Sequence, residues 1–240
     1  MLVEQALFTS ALTQQARGYH LVARSSGVTD RMAKTLAMWS PTHDSLTQPH
    51  LSADSINFFQ LDQDWSALTR TVRGESEYSN RGGLRLETNI LVFRTSQLST
   101  HDYNPLSVAA LALALGHLRL RAQAPRLLDS LQLPSSAWAT RIHEAKSADG
   151  DEDTITKLIR LTSQSRVMVV GAESPRKVVG TLLQRLPADR RAGLTFSTGL
   201  RPSLHRPFRV QFLPQLSENL REKMAAAGII CLDVERSLAM

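Results

Sequence analysis

The sequence has a single cysteine, Cys231, among its 240 residues. One thiol cannot form an internal disulfide, and it excludes a cysteine-based zinc site. Chains without disulfides are typical of reducing compartments, so the composition predicts a cytoplasmic protein.

Long apolar runs are also missing. The longest, Val108–Leu115, spans eight residues, whereas a helix needs roughly 20 apolar residues to cross a bilayer. The first residues, MLVEQALFTSALTQQ, include Glu4 and lack a basic n-region. They make a poor signal peptide and are predicted to form the first strand, so we predict no membrane association.

The motifs of two enzyme classes are absent. Gly-x-Ser-x-Gly does not occur, which excludes a nucleophile elbow. A Walker A loop is not formed after Gly171, because Arg176 stands where the second glycine is needed and Val178 replaces the Ser or Thr. The sequence therefore predicts no catalytic residue and no cofactor. It favours a non-enzymatic protein but leaves enzymatic activity open.

Two His-Asp dipeptides, His43-Asp44 and His101-Asp102, are the nearest approach to a metal site. Imidazole and carboxylate groups together bind catalytic metals. Neither dipeptide, however, lies on a predicted helix with a second ligand at helical spacing. The sequence therefore predicts no metal ligand.

Charge is unevenly distributed along the chain. Residues 1–112 carry 9 basic and 10 acidic side chains, whereas residues 113–240 carry 19 basic and 12 acidic ones. Within Arg176–Arg209 there are eight basic residues and one acid, Asp189. This pattern is compatible with a solvated arginine-rich surface, with an acidic protein partner, or with nucleic acid or nucleotide phosphate.

The segment Val169–Lys177 has the pattern of a strand, a glycine turn and a helix N-terminus. Backbone N–H groups in such a turn can hold an anion, although an ordinary strand-to-helix turn has the same pattern. In a parallel sheet, a ligand would lie at the strand ends near Gly171 and residues 197–199. The candidate anion-binding residues are Gly171, Ser174, Arg176, Lys177, Arg201, Arg206 and Arg209.

The first half of the chain predicts a sheet with packed helices. Strands are expected at 3–10, 18–24, 56–61, 65–72 and 84–93. A hairpin turn at 62–64 joins the third strand to the fourth. Thr29 or Asp30 caps a helix that Pro41 ends. Asn104-Pro105 starts a second helix, over 106–120, whose nearly uniform apolar character predicts burial.

The second half alternates helices with short strands. Helices are expected at 154–162, 175–186 and 217–227, and strands at 166–170, 194–197, 208–213 and 229–234. Strands separated by helices of this length favour parallel crossovers. We predict an α+β or mixed α/β protein, with an N-terminal domain at 1–125, a linker or exposed loop at 126–153, and a smaller α/β lobe at 154–240.

A polar loop with two glycines precedes the most strand-like segment of the chain. Its residues offer carboxylates, a phenol, an amide and a guanidinium close together, as functional loops on rigid strands do. A hairpin loop that satisfies only its own backbone would look the same. The candidate interaction residues are Glu75, Glu77, Tyr78, Asn80, Arg81, Gly82 and Gly83.

Several stretches, in order, resemble one protein family. They are QALFTSA, GYHLVARSSGV, WSPTHDS, SINFFQL, GESEYSNRGGLRLETNILV and NPLSVAALALA, with fainter likeness in LPADRRAGLTFSTGLRPS and HRPFRVQFLP. Together they resemble the N-terminal domain of the bacterial GTPase-associated proteins, over roughly residues 3 to 116. These proteins are encoded beside a small GTPase in predicted NTP-dependent conflict systems, and they are usually longer than this chain.

The resemblance implies a cytoplasmic, non-enzymatic adaptor that docks a GTPase or another co-encoded component of a bacterial defence system. It implies no catalytic residues. The alternative from the residues alone is a nucleotide- or nucleic-acid-binding module, with hydrolase activity left open, centred on residues 171–177 and the arginines of 176–209. Nucleic acid is the less favoured partner, and the sequence leaves the oligomeric state open.

Overall fold

The computed structural model of the protein describes residues 1–13, 16–48, 50, 53–77, 83–121, 125, 127–135 and 152–234. Within these ranges ten strands form one sheet. The strands are β1 (Leu2–Leu12), β2 (Arg17–Arg24), β3 (Asp54–Gln60), β4 (Trp65–Ser76), β5 (Leu84–Arg94), β6 (Leu131–Gln132), β7 (Arg166–Val170), β8 (Phe196–Ser197), β9 (Val210–Leu213) and β10 (Ile229–Asp233).

Six α-helices and one 3₁₀ helix occur in the same described ranges. The α-helices are α1 (Asp30–Trp39), α2 (Pro105–Ala114), α3 (Glu152–Gln164), α4 (Pro175–Arg185), α5 (Ala188–Arg191) and α6 (Glu218–Ala226), and the 3₁₀ helix spans Thr95–His101. None of the described helices is both long enough and apolar enough to cross a bilayer.

The sheet is antiparallel in the first half of the chain and parallel in the second. Its order is β10-β7-β9-β8-β3-β4-β5-β1-β2, and β6 pairs with β1. The strands β1 to β5 pair in antiparallel fashion, whereas β10, β7, β9 and β8 run parallel to one another, and β8 joins the two parts by pairing antiparallel with β3. The predicted α+β fold is confirmed, and so are the parallel crossovers.

Polar side chains cap the N-termini of α1 and α2, as the sequence predicts. The Thr29 hydroxyl accepts a hydrogen bond from the Met32 amide at 3.3 Å, and Asn104 Oδ1 accepts one from the Leu106 amide at 2.9 Å, with Pro105 in the first turn. The helix α2 is buried as predicted, but it ends at Ala114 rather than Leu120. Gly116 follows with φ 86°, a left-handed conformation that ends a helix.

Apolar side chains pack on both faces of the sheet. One face is covered by α2, α3 and α4, and its core joins Phe58, Leu91 and Phe93 to Val167 and Phe196. The other face carries α1 with residues of the 200–208 segment, and α6 covers its parallel end. Alternate strand residues point to opposite faces, so a sheet covered on both sides is apolar on both.

The two halves of the chain share this sheet and its core. The strands β3 and β8 pair through Asn57 with Ser197 and through Phe58 with Phe196. Most of the segment predicted as a linker, 126–153, lies outside the described residues. The division of the chain at that segment therefore stays a prediction, whereas the continuity of the sheet is observed.

Candidate functional site

The predicted interaction loop begins and ends on two paired strands. Glu77 directly follows β4, Gly83 directly precedes β5, and the Glu77 amide donates a hydrogen bond to the Gly83 carbonyl at 2.9 Å. Glu75 is exposed near the end of β4. The other predicted members of this loop, Tyr78, Asn80, Arg81 and Gly82, lie outside the described residues.

The Glu77 carboxylate is buried beside this stem, with the residue only 7% exposed. Its Oε1 accepts a hydrogen bond from the Ser10 hydroxyl at 2.5 Å and lies 3.0 Å from His43 Nε2. The His43 side chain is half-exposed. A buried carboxylate needs such partners because desolvation is costly without them. Glu77 thereby connects β1, the turn after α1 and the β4–β5 hairpin.

Tyr19 completes this cluster from β2. Its hydroxyl oxygen accepts a hydrogen bond from the Leu86 amide at 2.9 Å, and its ring meets the His43 ring edge-on with centroids 4.7 Å apart. Burial raises the pKa of the Tyr19 phenol, and the carboxylates of Glu77 and Asp44 raise it further. The hydrogen bond from the Leu86 amide acts in the opposite direction and lowers this pKa, but by less than burial raises it. Tyr19 is therefore a neutral phenol that fixes the His43 ring.

Sequence reasoning singled out Glu77 but missed Ser10 and Tyr19 as its neighbours and gave His43 no role. Ser10 and Tyr19 are directly opposite each other in the β1–β2 ladder. Both residues lie beside the short connection between the strands predicted at 3–10 and 18–24, and this position was the signal that the sequence offered. His43 reaches Glu77 only through the fold, and nothing in the local sequence indicates it.

A cleft opens at the carboxyl ends of the parallel strands. It has a volume of about 200 Å³ and is lined by the residues that follow β7 (172–176), β8 (198–199) and β9 (214), together with residues around the start of β3. The sequence predicted a ligand position near Gly171 and residues 197–199, and the cavity is lined by residues 198–199 and by Ala172, which follows Gly171. Whether a ligand binds there stays a prediction.

Two arginines share one carboxylate at this cleft. Asp54 Oδ2 accepts a hydrogen bond from Arg70 Nε at 2.7 Å, and Asp54 Oδ1 accepts one from Arg176 Nη2. Arg70 also donates to the Leu118 carbonyl at 2.9 Å. Asp54 and Arg70 were not predicted, since they are distant from Arg176 in the sequence and meet it only through the β3–β8 pairing.

The predicted anion-binding residues are divided between different places. Ser174 and Arg176 line the cleft, with Gly171 and Lys177 adjacent to them in the chain. Arg209 precedes β9 at the opposite end of the parallel strands and donates to the Thr162 carbonyl at 2.8 Å. Arg206 donates to the carbonyls of Trp39 and Arg201, and burial lowers the pKa of its guanidinium.

One segment contacts both places. His43 lies against Glu77 at the stem of the loop, while Thr47 and Gln48, a few residues further along, line the cleft. The Thr47 amide and hydroxyl both donate to the Gly199 carbonyl, at 2.9 and 3.1 Å. The stem and the cleft therefore lie at the same end of the sheet, joined by residues 43–48.

No cluster of three or more His, Cys, Asp or Glu side chains suited to a metal ion occurs within the described residues. His43 pairs with Glu77, and His101 is buried with neither ring nitrogen hydrogen-bonded to a described residue. The histidines of the two His-Asp dipeptides therefore lie in different environments, one paired with a carboxylate and the other buried.

Comparison with known families identifies the family of the first half of the chain. The family described as GTPase-associated protein 1, N-terminal domain type 2, matches residues 2–130, which is more than half of the chain. No curated protein and no solved structure matches the chain.

Proposed function

Because the chain belongs to the family of GTPase-associated protein 1, N-terminal domain type 2, we propose that it is a non-enzymatic adaptor. In this role it docks a GTPase or another component of a bacterial conflict system. The family match carries the proposal, since the family is named for association with a GTPase. The matched range, 2–130, includes the whole β4–β5 hairpin with its loop.

We place the docking surface at residues 75–83. Binding loops are commonly held by rigid elements that fix their ends. Here the two ends are joined by the Glu77–Gly83 hydrogen bond, and Glu77 is held by Ser10 and His43. The loop sequence includes Tyr78 and Arg81, and tyrosine and arginine are among the residue types that carry most binding energy at protein interfaces.

Co-purification with a co-encoded GTPase tests this proposal. The native protein is expected to retain the GTPase, and a Tyr78→Ala, Arg81→Ala double variant is expected to lose most of it. Removing an interface hot spot costs about 2 kcal/mol or more, which corresponds to roughly a thirtyfold weaker affinity. Equal retention by native and double variant would refute the docking surface, and no retention by the native protein would refute the GTPase as its partner.

A matched control carries one apolar and one arginine substitution away from the loop. Met38 on α1 is 67% exposed, and Arg190 lies on the exposed surface of α5. A Met38→Ala, Arg190→Ala variant should retain the GTPase as the native protein does. Equal loss in both double variants would indicate non-specific adhesion to an arginine-rich surface.

A further inference from the structure

The connection between β8 and β9 carries positive charge without any acid beside it in the sequence. It belongs to a stretch, residues 190–217, that includes five arginines but no lysine, aspartate or glutamate. Its residues Arg201–Arg209, which form neither helix nor strand, are called the basic loop below. Any carboxylate that neutralises this loop must come from another part of the protein or from a partner.

The basic loop is fixed at both ends and in its middle. Leu200, directly before it, and Phe208, near its end, are buried with 2% and 1% exposure. The Arg166 guanidinium, at the start of β7, donates hydrogen bonds to the carbonyls of four residues between 203 and 208, at 3.0 to 3.3 Å. The exposed side chains of the loop are therefore presented in a defined arrangement, as on binding loops held by rigid elements.

The guanidinium groups at this loop contact backbone carbonyls instead of carboxylates. Arg166 contacts the carbonyls just described, and Arg206 donates to the Trp39 carbonyl at 3.1 Å. Arg209 donates to the Thr162 carbonyl at 2.8 Å. Several arginines elsewhere in the protein pair with carboxylates. A carbonyl has no net charge, so the three guanidinium groups at the loop keep their full positive charge.

Burial makes this positive charge costly. It lowers the pKa of the Arg166 and Arg206 guanidinium groups, because a charged group is less stable where water is partly excluded. Asp44 adjoins Ser45, whose carbonyl accepts a hydrogen bond from the Arg201 amide at 2.6 Å, but one carboxylate cannot balance several guanidinium groups. Carboxylates of a bound partner would lower the electrostatic cost.

The outer surface of the loop combines charge with an apolar group. Arg201 and Arg209 are exposed, and Leu204, between them in the chain, is 46% exposed. Arginine forms bidentate pairs with carboxylates and is enriched at protein interfaces, whereas lysine is depleted there. An exposed leucine among arginines suits a protein partner better than nucleic acid, because interfaces with nucleic acid are more polar.

We propose that the basic loop binds an acidic segment of a partner protein. In this complex Arg201 and Arg209 contact carboxylates, and Leu204 contacts an apolar side chain that lies between those carboxylates in the partner. The basic loop is a second interaction surface besides residues 75–83. It requires only a partner with acidic and apolar residues, so the proposal does not depend on a GTPase.

Fluorescence anisotropy with a labelled peptide of repeated Glu-Leu-Glu tests the proposal. Saturable binding is expected at low salt, with weaker binding as salt screens the charges. The same peptide with glutamine in place of every glutamate should not bind. Failure of the acidic peptide to bind, or equal binding of the glutamine peptide, would overturn the proposal. Tighter binding of a single-stranded DNA of equal charge would overturn the class of partner.

Matched variants separate the loop from general attraction to a basic protein. An Arg201→Gln, Arg209→Gln variant should bind the acidic peptide at least about fivefold more weakly, since each exposed ion pair contributes modestly. The control, Arg17→Gln, Arg190→Gln, has the same net charge and removes exposed arginines at the start of β2 and on α5. It should bind as the native protein does, and equal weakening by both double variants would overturn the site.

Two single variants test the loop without disturbing its contacts. Arg201 is held through its backbone amide and carbonyl, so Arg201→Gln keeps the loop in place and should still weaken binding at least about twofold. Unchanged binding would overturn the role of Arg201. A Leu204→Ser variant should also bind the Glu-Leu-Glu peptide more weakly, and unchanged binding would overturn the apolar contact.

Discussion

The Nε2 atom of His43 lies 3.0 Å from Oε1 of Glu77, although a helix-to-strand connection and a complete hairpin separate the two residues in the chain. The same carboxylate oxygen accepts a hydrogen bond from the Ser10 hydroxyl. The contacts join the turn after α1 to the stem of the β4–β5 hairpin. The segment from His43 to Gln48 continues from there to the cleft at the parallel strands.

The stability of the stem should depend on Glu77. Replacing Glu77 with Ala removes the acceptor of the buried Ser10 hydroxyl, so the free energy of unfolding should fall by about 1–3 kcal/mol. Urea unfolding measures this change. Glu75→Ala is the matched control, because Glu75 is exposed on the same hairpin, and its effect should stay within about 0.5 kcal/mol. Equal effects of the two substitutions would contradict the role of Glu77.

Stability should decrease in mild acid because of His101. This residue is 1% exposed, neither ring nitrogen has a hydrogen-bond partner among the described residues, and burial lowers its pKa, with the N-terminal ammonium contributing. Below about pH 6.5 the unfolded chain binds a proton at this histidine more readily than the folded protein. The unfolded state binds more protons there, so lowering the pH favours unfolding.

A His101→Leu variant should remove part of this pH dependence. Between about pH 7.5 and about pH 5.5 the native protein should lose more unfolding free energy than the variant, with a limit of about 1.4 kcal/mol per pH unit from one histidine. Burial and the nearby Arg121 also lower the pKa of His117, so some pH dependence of stability should persist in the variant. A His205→Leu variant is the control, because His205 is exposed. Identical pH slopes for native protein and His101→Leu would contradict the prediction.

The two halves of the chain should unfold together. Phe196, from the second half, and Phe58, from the first, are both fully buried, and their ring centroids lie 6.1 Å apart. A Phe196→Ala substitution should cost about 3–5 kcal/mol. In a background with Trp138 replaced by Phe, the remaining tryptophans, Trp39 and Trp65, both lie in the first half, and their fluorescence should report this loss in one transition.

A surface control for that experiment is Leu127, which is 81% exposed. A Leu127→Ala substitution should change the unfolding free energy by no more than about 0.5 kcal/mol. A tryptophan transition that stays unchanged in Phe196→Ala, while circular dichroism shows a second, earlier transition, would mean that the halves unfold separately.

Most secondary structure could be predicted because its signals are local. The capping residues Thr29 and Asn104 and the turn at 62–64 act within a few residues, and the structure contains the helices and the hairpin they indicate. The pairing of β3 with β8 could not be predicted, because Phe58 and Phe196 meet only after a long stretch of chain has folded. Local patterns carry no information about such a register.

The polar face of β5 shows a second limit. Glu87 and Asn89 put two polar side chains on the same face of β5, which ordinarily indicates a solvated face, yet they are 2% and 3% exposed. The segment after α2 covers them, since the Arg121 amide donates to Glu87 Oε1 at 2.9 Å and Asn89 donates to the Arg119 carbonyl at 3.3 Å. This face of β5 is polar in sequence, but a distant segment supplies the hydrogen-bond partners that water would otherwise provide.

The close approach of β8 to β3 gives a last prediction, at Gly199. A Cβ atom at this position would lie 2.8 Å from the Asp54 carbonyl oxygen and 3.4 Å from Ser55 Cβ. Because the nearest atom belongs to the backbone of a central strand, it cannot move aside as the end of a side chain can. A Gly199→Ala variant should therefore lose about 1–3 kcal/mol of unfolding free energy, as overpacked sites do.

In Gly193→Ala the new methyl group would have its nearest neighbour at 3.8 Å, an ordinary contact, so this variant should be at least as stable as the native protein. Thermal unfolding of the two variants side by side measures the difference, and a Gly199→Ala protein as stable as Gly193→Ala would show that β3 and β8 are less tightly packed than the structure indicates.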